Sequence, residues 1–237
     1  MIDLHTHILP GVDDGPRDLA GTLTMAEVAR DNGIRVLVAT PHIREDYPRV
    51  RPQEIPELAR AIDAELSEHG IDVRVVPGAE VAITRAVDMS DEELRLVTLA
   101  GNGRDLLLET PHGALPSVFE TVALDLIGRG FRITLAHPEL SRDIQKRPDI
   151  LRRLVDAGAL VQLTASSLEA RWSRRGAMAR RALKEGLVHV VSSDAHSATW
   201  RPPDLSPVEP LGDLGRWLTV DAPQAILDGA ELPSPQR

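Results

Sequence analysis

The chain contains no cysteine. Disulfide bonds, thiolate zinc sites and any reaction through a cysteine nucleophile are therefore excluded, and the composition suits a reducing cytoplasm. Lysine is almost as scarce, with Lys146 and Lys184 alone against a heavy excess of arginine. Aromatic residues make up 3%, which leaves few rings to grip an aromatic ligand; Trp172 and Trp200 are the nearest candidates. No apolar run approaches the roughly 20 residues of a membrane span. A strand-like segment that begins at Ile2 leaves no room for a signal peptide. The net charge is −9 and no basic run stands out, so nucleic acid is a poor candidate partner.

What is present is an alternation. Seven short runs rich in Val, Ile and Leu read as strands buried on both faces: Ile2–His5, Arg35–Ala39, Val73–Pro77, Asp105–Leu108, Arg132–Ala136, Leu160–Leu163 and Val188–Ser192. Helical spacing of apolar residues fills the intervals at Leu19–Asn32, Glu54–His69, Asp91–Leu99, Pro116–Gly128, Asp149–Ala157 and Arg174–Glu185, most of them ending at or before a glycine. Repeated strand–helix units predict a parallel α/β sheet, closed as a barrel or open and doubly wound. With 237 residues, 42% of them apolar, the chain suits one domain over residues 1–237. The Pro-rich stretch from about Leu205 reads as peripheral and the final ELPSPQR as loose.

Polar chemistry collects where the strands end, the position of the active site in α/β barrels. The first strand runs into His5 and His7, and ATPH carries His42. PGAE carries Glu80, LLLE ends in Glu109, AHPE carries His137, and SSDAH carries Asp194 and His196. Five of the eight histidines thus fall at or just past a strand end. Residues i and i+2 of an extended segment share a face, so His5 and His7 can serve one ion. His69 reads as a helix-end residue, His189 as a packed strand residue, and His112 as either a wall of the site or an ordinary loop residue. In PGVDDGP one carboxylate is free to ligate while the other caps the turn, and spacing does not choose between Asp13 and Asp14.

Nine candidate ligands, one of them from the Asp13–Asp14 pair, call for two or three divalent ions. A mixed nitrogen and oxygen set favours Mn, Fe or Zn over Ca or a structural zinc. Clustered divalent ions suit hydrolysis of a phosphate ester.

With those residues in place, the sequence resembles the PHP (polymerase and histidinol phosphatase) superfamily over about residues 1–203. HILPGVDDG, VATPH, AHPE, LVQLTASSLEARW and VVSSDAH are similar to the manganese-dependent protein-tyrosine phosphatases of Gram-positive capsule and exopolysaccharide operons. The resemblance implies a distorted (β/α)7 TIM-like barrel with a trinuclear site, manganese first among its metals, and a metal-bridging hydroxide as nucleophile. It implies His5, His7, Glu80 and Asp194 around one ion, Glu80, Glu109 and His137 around a second, and Asp14, His42 and His196 around a third, which selects Asp14 over Asp13. Its substrate would be a phosphotyrosine protein, such as a bacterial tyrosine kinase, met in the cytoplasm without membrane insertion; a homo-oligomer stays open.

One departure stands out. The family pattern AHPER carries a phosphate-binding arginine where this chain has Leu140. Arg142 is the nearby substitute, Arg201 in SATWRPPDL matches a second family arginine, and Arg44 is a weaker candidate. The competing reading is a small-molecule phosphoesterase of the same fold, such as a histidinol phosphatase, although PGxDDG is unusual there. An amidohydrolase would want a lysine at a strand end, and both lysines fall in helical segments. A barrel that had become a mere scaffold would have lost ligands.

Overall fold

The apolar runs form parallel strands joined by helices, and the computed structural model describes residues 1–235. In chain order the elements are β1 (Ile2–Thr6), α1 (Leu19–Asp31), β2 (Val36–Ala39), β3 (His42–Ile43), α2 (Ile55–Glu68), β4 (Arg74–Pro77) and β5 (Glu80–Ala82). There follow α3 (Ile83–Ala86), α4 (Asp91–Leu96), β6 (Asp105–Glu109), α5 (Phe119–Gly128), β7 (Arg132–Ala136), α6 (Arg142–Lys146), α7 (Asp149–Asp156) and β8 (Leu160–Thr164). The last are α8 (Ala165–Glu169), α9 (Arg174–Lys184), β9 (Val190–Ser192), α10 (Asp213–Arg216) and α11 (Ala222–Leu227).

All strand pairs are parallel, in the orders β1-β2-β4 and β3-β5-β6-β7-β8-β9. The pairs β2/β3 and β4/β5 are halves of two strands, interrupted at Thr40-Pro41 and Gly78-Ala79. A proline has no N–H for the ladder. A side chain at Gly78 would come within 2.8 Å of Val38. The first and last strands meet through a parallel bridge between Thr6 and Ala195, with His7 N–H donating to Ala195 O at 2.8 Å and Asp194 N–H to His5 O at 3.0 Å. An open doubly wound sheet would keep these edges apart, so the sheet is a closed, distorted seven-stranded α/β barrel.

Two apolar layers hold it. Strands and outer helices bury one large cluster, while Leu4, Val38, Leu107, Ala136 and Val190 fill the barrel interior. Ile226 of α11 is fully buried in that interior cluster. Here the expectation of a peripheral tail fails: Leu218, Ala222 and Ile226 are all completely covered, because the narrow end of the barrel needs apolar atoms to fill it. The tail is also tied by polar contacts. Asn102 donates to Ile226 O at 2.6 Å, and Arg132, paired with Asp105 at 2.5 Å, donates to Ala230 O at 2.6 Å. In the stretch read as loose, Glu231 pairs with Arg104, Leu232 packs on the core and Pro233 O accepts from Trp217; residues 236–237 lie outside the described residues.

Smaller departures have local causes. β9 starts at Val190, so His189 precedes the strand, half-buried, with Nδ1 accepting from Val161 N–H at 3.1 Å. The stretch ASSLE forms the short α8, which was not foreseen. Among the described residues no helix is long and apolar enough to cross a membrane.

Candidate metal centre

β1 carries one residue more than β2 between Asp3 and Thr6, a bulge that breaks strict alternation. It lets Leu4 fill the interior while the rings of His5 and His7 turn to the barrel mouth. Two other residues reach the mouth through left-handed backbone, His137 at φ 36° and Asp194 at φ 56°. Such conformations cost a non-glycine residue roughly 1 kcal/mol or more and concentrate where geometry serves a site.

The convergence is tight. His5 Nε2 lies 3.3 Å from His7 Nε2, 3.3 Å from Glu80 Oε2 and 3.4 Å from Asp194 Oδ1. His7 Nε2 lies 3.6 Å from each of those same two oxygens. Ligand atoms of a tetrahedral ion with bonds of about 2.1 Å stand about 3.4 Å apart, so His5, His7 and Glu80 have the spacing an ion requires, and Asp194 Oδ1 stands at that spacing from both imidazoles. A second group joins His42, Glu80 and Glu109, and a third joins His7, Asp14, His42 and His196. In the third group Asp14 Oδ1 is 3.3 Å from His196 Nε2 and 3.7 Å from His42 Nε2.

The donors also lack partners of their own. Glu80 is completely buried, yet its Oε2 makes no hydrogen bond, and neither does His42 Nδ1 although the two atoms lie 2.9 Å apart. Unsatisfied carboxylate and imidazole atoms turned toward one another in the interior suit a divalent cation between them. Burial would raise the Glu80 carboxyl, but His5 and His137 overturn that and hold it well below the usual range. Burial likewise works against a charged His137, and Glu80 outweighs it, pushing the imidazole up to about 9. Glu109 moves the other way, raised by burial and by Glu80. Positive charge is thus what the buried Glu80 carboxylate demands, whether from the His137 imidazolium or from a cation held in its place.

All nine predicted ligands therefore reach one mouth. The groupings differ from the resemblance: His5, His7 and Glu80 gather without Asp194, His42 joins Glu80 and Glu109, and His7 joins Asp14, His42 and His196, while His137 Nε2 sits 2.7 Å from the other oxygen, Glu80 Oε1. The two neighbouring aspartates separate clearly. The Asp13 side chain is buried behind His7, 2.7 Å from Nδ1, and accepts from His42 N–H and Gly15 N–H at 3.0 Å each. It aims His7 and ties the first two βα loops together, while Asp14 faces the cluster. Tyr47 stacks on the His42 ring.

The arginines fare differently. Arg201 pairs with Asp194 Oδ2, so it holds the carboxylate whose other oxygen faces His5 and His7. Arg44 donates to Glu109 Oε1 at 2.8 Å and borders the cleft. Arg142 lies outside the cleft, exposed along an adjoining groove with Leu140. His112 sits edge-on to His137, with ring centroids 5.1 Å apart, and borders both spaces. Sequence reasoning missed Gln162, which is fully buried on β8 with Oε1 at 3.1 Å from His5 Nδ1 and accepting His137 N–H at 3.2 Å. A lone amide inside the apolar run LVQLT was the available signal, since a buried amide needs a partner. Asp3 was missed too; it is fully buried and accepts from Ser193 N–H, tying β1 to the end of β9.

A parallel barrel whose mouth gathers imidazoles and carboxylates at ligand spacing defines a metal-site hydrolase scaffold. Residues 1–210 match the family described as capsular polysaccharide synthesis, CpsB/CapC, and the chain belongs to it. It is 33% identical to the tyrosine-protein phosphatase YwqE of Bacillus subtilis, over 98% of this chain and 91% of that one. It is 31% identical to the putative tyrosine-protein phosphatase CapC of Staphylococcus aureus, over 85% and 79%. A solved structure described among those of YwqE from Bacillus subtilis and CpsB from Streptococcus pneumoniae, unique metal-dependent tyrosine phosphatases, superposes with a TM-score of 0.87, 32% identity and full coverage of both chains.

Proposed function

We propose that this chain is a metal-dependent phosphoric monoester hydrolase that removes phosphate from tyrosine in proteins and thereby regulates polysaccharide synthesis or export. The observation that carries the chemistry is the His5–His7–Glu80–Asp194 cluster: the His5 and His7 imidazoles lie 3.3 to 3.6 Å from one another and from the two carboxylates, beneath a cleft of about 540 Å³. Phosphotyrosine as substrate and the capsule context rest on the family and on the names of the relatives.

In this reading His5, His7, Glu80 and Asp194 hold one ion. Glu80 also serves a second with Glu109 and His42 or His137, and Asp14, His42 and His196 serve a third. Manganese is the first choice, with iron or zinc as alternatives for a mixed imidazole and carboxylate set. Ions held there would activate water near neutral pH and neutralise the phosphoryl oxygens. Gln162 and Asp13 fix the orientation of His5 and His7. Arg201 keeps Asp194 aimed and, at the cleft wall, turns its remaining N–H groups toward an anionic substrate. Arg44 adds a second cation beside Glu109. A cytoplasmic location follows for an enzyme that reverses an ATP-dependent phosphorylation.

The test is phosphate release by the manganese-loaded protein from a phosphotyrosine peptide, a phosphoserine peptide and histidinol phosphate. A clear preference for phosphotyrosine is expected. A preference for histidinol phosphate would replace the reading with that of a small-molecule phosphatase, and release from none of the three would overturn it.

A further inference from the structure

A second space of about 1080 Å³ adjoins the metal cleft and shares His112 and Arg201 with it. Leu140, Arg142, Arg175 and Trp200 line it. Two features mark this side as more than solvated surface. Trp172 and Trp200 are 101% and 74% exposed, two of only three tryptophans in the chain. Leaving so much aromatic surface in water is unfavourable, and tryptophan and arginine are the residues that dominate protein–protein contacts.

The second feature is charge. Between Arg171 and Lys184 a chain of net charge −9 has five arginines, one lysine and no acid; the alternation with alanine, glycine and methionine hid this from a search for basic runs. Arg181 and Arg147 are spent on Glu185 and Asp143. Arg142, Arg174 and Arg175 are exposed and have no carboxylate within 4.0 Å among the described residues. Arg174 and Arg175 open α9, where positive charge opposes the helix dipole, so helix stability does not account for them. Two acids, Glu169 and Asp204, also border the groove; Asp204 is engaged by Ser206 N–H.

We propose that this groove, with Arg175 in its wall and the exposed Trp172 and Arg174 beside Arg175 in the chain, docks the polypeptide flanking the substrate tyrosine and selects flanks that carry negative charge. The proposal rests on the phosphotyrosine reading above and adds the source of its protein specificity.

The test compares two phosphotyrosine peptides, one with glutamates and one with glutamines beside the tyrosine, with p-nitrophenyl phosphate as a substrate too small to reach the groove. The glutamate peptide should have the higher kcat/KM by about tenfold at low salt, and the advantage should fade as salt screens the exposed charges. The double variant Arg174→Glu/Arg175→Glu should abolish that preference and leave p-nitrophenyl phosphate turnover unchanged; both side chains are exposed, so the fold tolerates the change. An undiminished preference in the double variant would overturn the proposal, as would a variant that loses self-association in sedimentation with no change in peptide selectivity. If the parent protein cleaved no phosphotyrosine, the function would fall and not the groove. Binding of the unphosphorylated glutamate peptide, read by fluorescence anisotropy and lost in the double variant, would then still decide for the groove, and unchanged binding against it.

Discussion

Gly15→Ala is a small change with a large expected consequence. A methyl group at Gly15 would lie 2.1 Å from the backbone oxygen of His7. Real contacts of this kind begin beyond about 3 Å, so the loop or the end of β1 must move by roughly 1 Å. The moving segment carries Asp13, which accepts from Gly15 N–H and holds His7 Nδ1 and His42 N–H, and Asp14, which faces His196. Overpacking of this kind costs about 1–3 kcal/mol, which at about 2–4 °C per kcal/mol for a domain of this size lowers Tm by roughly 2–12 °C. Misplacing a reactive group by about 1 Å costs on the order of 100-fold in rate. Calorimetry and phosphotyrosine-peptide kinetics measure the two effects. Gly128→Ala is the control: it lies at the exposed end of α5, outside both the cleft and the groove, with nothing within 4 Å of its Cβ, and it should neither lower Tm nor change turnover. Wild-type turnover and metal affinity in Gly15→Ala would refute the claim that this loop's register places the aspartates.

Further outcomes follow from other parts of the fold. Gln162→Leu removes the partner of His5 Nδ1; metal affinity, read by calorimetric titration, should fall about 10- to 100-fold. Ile226→Ala opens a cavity at the barrel's narrow end and should cost about 2–5 kcal/mol in denaturant unfolding, with turnover per folded molecule intact because the metal ligands lie at the opposite end. Burial pushes the His189 imidazole down to about 4, and its Nδ1 must stay unprotonated to accept from Val161 N–H. The unfolded chain therefore takes up a proton that the folded one refuses. The stabilisation is full above about pH 6.5 and is lost as pH falls toward 4, by at most about 3 kcal/mol. His189→Asn should flatten that slope when the two denaturation midpoints are followed from neutral pH to about 4.5; an unchanged slope would assign the acid sensitivity to other groups.

The barrel was legible because its strands are short apolar runs set off by helical periods, and because chemistry-bearing residues recur just past each run. His5 and His7, Glu109 two residues beyond Leu107, and Asp194 two residues beyond Ser192 follow a period of 2 that any reader of the sequence can count. That spacing showed which side chains share a rim, although a bulge in β1 and left-handed backbone at His137 and Asp194 complete their aim, and the missing cysteines determined which mechanisms are closed. Closure was not legible: whether Thr6 meets Ala195 depends on accumulated twist over seven strands, which no local pattern encodes. Nor was the choice between Asp13 and Asp14 open to spacing, since both sit in one turn and only its fold, pressed against the His7 carbonyl at Gly15, buries one carboxylate and turns the other inward. The role of the tail was hidden for the same reason. Proline-rich chain reads as surface until a barrel end supplies an apolar floor, and Ile226 fills it because burial is a property of the assembled layers rather than of the segment. Gln162, Asp3 and the α9 arginines belong with these: local sequence set their chemistry, and tertiary contact decided what each one faces.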